Sequence, residues 1–193
     1  MSKRILIVHG HPDASARRFN HALAEAYALG AKRAGHTVAH VDVAHLDIPC
    51  LRGKAGWEAG ALPDALVPAQ QAIAACDHLV LFFPLWLGGV PALLKAFLEQ
   101  VLRPGFAFSQ GRGFPEKPLS GRSARVVVTM GMPGLVFRWY FRAHGLKALT
   151  RGILGFVGIA PVRETVIGSV EGLSDKQRMA WLAEMTRLGH HGR

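Results

Sequence analysis

Cysteine is scarce in this chain. Cys50 and Cys76 are its only two, far apart and without the close spacing of metal-binding pairs, which argues against a disulfide framework and a cysteine-built metal centre. Two reduced thiols in a cytoplasmic protein are the expectation. Long hydrophobic runs are also missing, and the apolar stretches fall short of the roughly 20 residues that cross a bilayer. Lys3 and Arg4 lead into an apolar run that stops at His9, so no secretory signal is read there and the chain is expected to be soluble. Acidic residues are few, 13 against 23 Lys and Arg, which gives a formal net charge of +10. Such an excess raises nucleic acid, an anionic membrane or a phosphorylated ligand as partners. The cations are dispersed, however, without basic runs or aromatic-and-basic alternation, so nucleic acid is not an expected partner.

Two nucleotide-binding signatures are absent as well. The segment GHPDAS from Gly10 lacks the G-x-G-x-x-G spacing of dinucleotide folds, and no Gly-Lys-Ser or Gly-Lys-Thr follows it. What remains is a chain of 193 residues, half of them apolar, long enough for one well-buried domain over residues 1–193.

That domain is organised around Asp77 to Leu102. His78 to Phe83 is an unbroken apolar run with no polar face, the mark of a strand buried on both sides. From Val90 the apolar residues Val90, Leu93, Leu94, Phe97, Leu98, Val101 and Leu102 recur at threes and fours, so an amphipathic helix follows. Between them Pro84-Leu85-Trp86-Leu87-Gly88-Gly89 breaks both periods and leaves Trp86 on a loop at the carboxyl end of a strand. Ligands bind at that edge of an open parallel sheet, although a strand-to-helix turn whose Trp86 fills the core reads equally well.

Similar units precede and follow. Lys3–His9 is a strand; the loop from Gly10 to Ser15 opens a helix over about Ala16–Ala34, with Ser15 or Asp13 as its cap; His36–Asp42 is a second strand. The amino end of that helix, with Ser15, Arg17 and Arg18, can cradle a phosphate, or can be a capped helix with solvated arginines. Leu46–Leu62, carrying Trp57, is a surface excursion, and Pro63–Cys76 a helix. Ser123–Thr129 is a fourth strand ending in the turn Met130-Gly131-Met132-Pro133-Gly134. Leu135–Phe156 holds one or two helices, Pro161–Ile167 is a fifth strand, and Ser174–Leu188 a closing helix capped by Ser174. The tail GHHGR is expected to be disordered. Strands alternating with helices predict an α/β fold with a doubly wound, five-stranded parallel sheet.

HPDASARRFN, FPLWLGGVPALLKAFLEQVLRPGFAF and TMGMPG together resemble, in order and spacing, the three signatures of the NAD(P)H quinone oxidoreductases, a flavodoxin-like family. The resemblance spans nearly the whole chain and is most specific in its middle block. It implies a flavin, FAD or FMN, at the carboxyl edge of the sheet. His11, Ser15, Phe19 and Asn20 would lie by its phosphate and ribityl chain; Pro84, Leu85, Trp86, Leu87 and Gly88 would run along its ring; Thr129, Met130, Gly131 and Met132 would close over its polar edge. It further implies NAD(P)H as hydride donor, a quinone-like acceptor served in ping-pong fashion, and Tyr140 and His144 as catalytic residues beside the reduced ring. A homodimer is expected, with Trp57, Trp139 and Phe141 at the contact. The basic, aromatic segment FRWYFRAHGLK also suits peripheral attachment to a membrane or its transporter, in which the chain would be a redox-sensing regulatory subunit.

Overall fold

The computed structural model describes residues 2–15, 18–58, 60–109 and 116–193. Strands β1 (Arg4–His9), β2 (Thr37–Asp42), β3 (His78–Pro84), β4 (Ser123–Thr129) and β5 (Val162–Ile167) form an all-parallel sheet in the order β2-β1-β3-β4-β5. Helices α1 (Phe19–Arg33), α2 (Lys54–Glu58), α3 (Val67–Ala75), α4 (Ala92–Val101), α5 (Gly134–Trp139), α6 (His144–Lys147) and α7 (Asp175–His190) connect and cover the strands. This is the doubly wound flavodoxin-like order, with its topological switch between β1 and β3.

The apolar strands are explained by what lies on each side. Leu6, Val8, Leu79, Leu81, Phe83, Val126 and Val128 pack in one layer with Ile73, Leu94, Phe97 and Val101 of α3 and α4. Ile5, Ile7, Val80, Phe82 and Val127 pack in the other with Leu23, Tyr27, Met185 and Leu188 of α1 and α7. Alternate residues therefore enter opposite cores, so these strands carry apolar residues on both faces. At the amino edge, Arg4 clamps Asp77 through its Nη2 at 2.7 Å and Nε at 3.2 Å, fixing β1 against the start of β3. Arg103 is buried and donates to the carbonyls of Gly56, Gly60 and Ala61, so the excursion around α2 is pinned to the end of α4.

Several boundaries differ from the sequence reading. The first helix begins at Phe19, and its N-cap is Arg18 rather than Ser15 or Asp13. Asp13 is occupied: its carboxylate accepts from the Ser15 N–H and from the Arg18 guanidinium. Arg17 and the glycine-rich residues 110–115 lie outside the described residues. The segment expected as one or two helices divides into α5, α6 and a π-helical stretch, Ala148–Gly155. Arg142 and Ala143, at φ of 52° and 50°, make the break without a glycine or proline to announce it. The tail is ordered. Its residue Arg193 gives a backbone oxygen to Arg125 Nε at 2.6 Å and Tyr27 Oη at 3.3 Å, and Gly192 gives one to Lys3 Nζ at 2.8 Å. A buried guanidinium and a buried phenol need acceptors, and the tail supplies them.

Candidate functional site

The amino end of α1 offers unpaired backbone N–H groups that a negative group can meet. Among the described residues no side chain caps it and its first turn carries no acid, so its positive dipole end is not neutralised locally. His11 stands in the loop before it. The Asp13 N–H donates to His11 Nδ1 at 3.0 Å, which leaves the ring's proton on Nε2 as a donor. Burial, with His21 beside it, pushes the His11 pKa down, so the ring is neutral near pH 7. The Asp13 carboxyl is held well below the usual range by its hydrogen bonds with Ser15 and Arg18.

After β3 the chain makes a tight hairpin. The Trp86 N–H donates to the Gly89 carbonyl at 3.0 Å and the Gly89 N–H returns to Trp86 at 2.9 Å. The two residues between, Leu87 and Gly88, have φ of 45° and 78°, a pairing of left-handed residues that glycine satisfies freely. Leucine there costs about 1 kcal/mol. Leu87 is nevertheless fully exposed and Trp86 is half exposed, so neither is filling the core. A strained turn that holds two large apolar side chains in water, at the ligand edge of the sheet, is organised to meet something.

The three loops meet. His11 and Trp86 stand edge to face with ring centroids 6.3 Å apart. The Leu85 N–H donates to the Thr129 carbonyl at 2.8 Å, and Asn20 Nδ2 donates to Thr129 Oγ1 at 3.3 Å. Asn20 and Thr129 are both buried, so the first turn of α1, the end of β3 and the end of β4 share one anchor. Met130 turns its side chain into the core, its N–H goes to Ile167 and its carbonyl accepts from Val170. Gly131 is exposed beside Glu171, and the Met132 carbonyl accepts from Ser169. Phe19 is partly buried under the Arg178 guanidinium, 5.1 Å above its ring.

Tyr140 and His144 lie on either side of the α5–α6 break and both are exposed. Tyr140 packs edge to face on Phe141, with centroids 5.0 Å apart. His144 is brought to the hairpin by its neighbour. A Cβ on Gly145 would stand 1.9 Å from the Gly88 carbonyl oxygen, so α6 rests on the turn backbone to backbone. Gly145, Glu171 and the Asn20–Thr129 link were not foreseen as a set. Only the small residue in HGLK hinted at the first. Beyond the hairpin an apolar recess of about 480 Å³ runs between Trp86, Leu87, Val90, Ala148 and Leu149. It adjoins, across Lys95 and Ile153, a groove of about 450 Å³ that Trp57 and Phe156 line.

Residues 3–188 match the family described as "Flavodoxin-like fold". An "Uncharacterized NAD(P)H oxidoreductase" of Haemophilus influenzae is 27% identical over 181 residues, covering 92% of this chain and 89% of that protein. An "FMN-dependent NADH:quinone oxidoreductase 1" of Jannaschia sp. is 38% identical over 101 residues, 52% of this chain and 49% of the relative. The crystal structure of Smu.1420 from Streptococcus mutans superposes with a TM-score of 0.82 at 28% identity, covering 97% of this chain and 99% of that one. The chain therefore belongs to the flavodoxin-like fold family.

Proposed function

We propose that this protein is a flavin-dependent oxidoreductase that passes two electrons as hydride from NAD(P)H to a quinone-like acceptor, with both substrates visiting one site in turn. The observation that carries the reading is the meeting of three loops on Thr129, beside an exposed, strained Trp86–Leu87 turn. FMN is the favoured flavin, as in the Jannaschia relative's name. The uncapped end of α1 suits its phosphate, and His11 Nε2 and Ser15 add neutral donors there. Trp86 and Leu87 offer apolar surface for a flat ring, and the side-chain-free backbone at Gly88 and Gly131 would be open to its polar atoms. When bound, the flavin supplies the hydride chemistry that no side chain here can supply. The chain's own work is to orient the reactants and exclude water.

Tyr140 and His144 are proposed for a polar role at the mouth of this site, a reading supported for His144 by the packing of the adjacent Gly145 on the Gly88 carbonyl. A second copy of the chain covering the groove lined by Trp57 and Phe156 would wall the site from outside, giving the expected homodimer. Among the described residues no helix is long and apolar enough to cross a membrane. The cytoplasm, where Cys50 and Cys76 stay reduced, is the proposed location.

The test is reconstitution with FMN, anaerobic addition of NADH or NADPH, and then addition of a soluble benzoquinone. Bleaching of the yellow colour by the nucleotide and its return with quinone, with parallel double-reciprocal plots, is expected. A protein that holds flavin but is not bleached by either nucleotide would refute the enzyme reading. A second reading makes the chain a regulatory flavoprotein on a membrane transporter, favoured by Trp139 and Tyr140, each 80% exposed and flanked by Arg138 and Arg142. Salt-sensitive sedimentation with membranes, without quinone turnover, would select it.

A further inference from the structure

On the far side of β1 from the Trp86 turn, a second cluster of polar groups has no part in the proposed redox chemistry. His9 ends β1, His40 lies on the edge strand β2, and Glu25 projects from α1 above them. One ligand atom from each can be chosen so that all three lie within 4.8 Å of one another. His9 is buried, whereas Glu25 and His40 are exposed, so the cluster has a buried floor and an open mouth. His9 Nε2 and His40 Nδ1 are 3.0 Å apart. Their ring centroids are 5.3 Å apart and the planes are within 21°, so the two nitrogens face one another almost head-on.

Two imidazole nitrogens facing in this way either share a proton or bind a common ion. Burial pushes both pKa values down, more than Glu25 raises that of His40, so both rings are neutral near pH 7 and each keeps a lone pair or one shared proton. The separation of 3.0 Å matches an N–Zn–N angle of about 95° at the usual zinc–nitrogen length of about 2.0–2.1 Å. At that angle each lone pair turns by roughly 40° from the partner nitrogen to the shared point, which takes rotation of both the exposed His40 ring and the buried His9 ring. Glu25 then supplies an anionic oxygen, and solvent the remaining positions.

We propose that His9, Glu25 and His40 form a binding site for a divalent transition-metal ion of the zinc type. Two imidazoles and one carboxylate are the ligand set that borderline cations prefer over calcium or magnesium. Such an ion ties the edge strand and α1 to the residue immediately before the Gly10–His11 loop. It would stiffen that loop without entering the redox site, and the proposal does not depend on a flavin being bound.

Calorimetric titration of the EDTA-treated full chain with zinc chloride tests the site, with visible d–d bands of cobalt(II) as a second readout. The expected result is one ion per chain, a rise in Tm on binding, and at least about a tenfold loss of affinity in both His40→Ala and Glu25→Gln. Both substitutions fall on exposed residues, so they leave the fold intact. Absence of zinc binding by the unsubstituted chain overturns the proposal. So does binding that both variants retain, or binding that is lost instead in a His190→Ala, His191→Ala chain, the adjacent histidine pair near the tail.

Discussion

Asn20 donates its side-chain amide to Thr129 Oγ1 at 3.3 Å, joining two residues that are 109 positions apart in sequence and both buried. That bond fixes the first turn of α1 to the end of β4, and with it the distance between a phosphate-ready helix end and the turn that follows β4. Replacing Asn20 with alanine strands the hydroxyl and is expected to destabilise the fold by about 1–3 kcal/mol. Adding Thr129→Val to that variant should cost little more, since the partner is already gone. Urea unfolding of the two single variants and the double variant measures this coupling, and flavin affinity should fall with it.

Gly145 and Gly152 make a matched pair. A methyl group at Gly145 meets the Gly88 carbonyl, whereas one at Gly152 meets nothing within 4 Å. Gly145→Ala should force the Trp86–Gly89 turn aside, costing about 1–3 kcal/mol and weakening flavin binding. Gly152→Ala should be neutral or stabilise by up to about 1 kcal/mol. Thermal unfolding with a flavin titration of each variant separates them.

Leu87 tests whether strain is held for function. Leu87→Gly removes a left-handed leucine, so stability should be unchanged or rise by up to about 1 kcal/mol, the relief being partly offset by the flexibility of glycine. Turnover with quinone should nevertheless fall, because the exposed apolar flank is lost. Unfolding and steady-state kinetics on the same preparation check both halves.

Acid stability should report on His78. It is 1% exposed at the start of β3, with Nδ1 2.8 Å from Ser123 Oγ, and burial, helped by Lys3, Arg125 and Arg163, pushes its pKa down to about 3. Above the ordinary histidine value neither state carries the proton. Below that value the unfolded chain binds a proton that the native ring refuses. Stability should therefore fall by about 1.4 kcal/mol per pH unit from this residue, from about pH 6.5 down to about pH 3. His78→Gln should flatten the acid limb of a urea-unfolding series over that range.

How far the sequence foretold the structure follows from where its information sits. β1, β3 and β4 were legible because both faces are buried, so hydrophobic residues run on without alternation, and the helix after β3 was legible from its period. The break at Arg142 and Ala143 was not, because left-handed backbone there rests on tertiary packing and not on a residue that prefers it. The tail misled for the opposite reason: its polar, glycine-flanked composition reads as disorder, yet it satisfies Lys3, Tyr27 and Arg125, which lie far away in sequence. Within the site, Trp86 and its glycines stood out as a punctuated loop. The pairings of Asn20 with Thr129, of His11 with Trp86 and of His9 with His40 exist only after folding.

Titrating the flavin-free chain with FMN while following tryptophan fluorescence tests most directly whether one slot at the carboxyl edge, flanked by Trp86, takes a flavin. Saturable quenching at one FMN per chain is predicted, with the affinity weakened by Trp86→Ala and by Asn20→Ala. Failure to bind FMN, or an affinity that neither substitution changes, would contradict it.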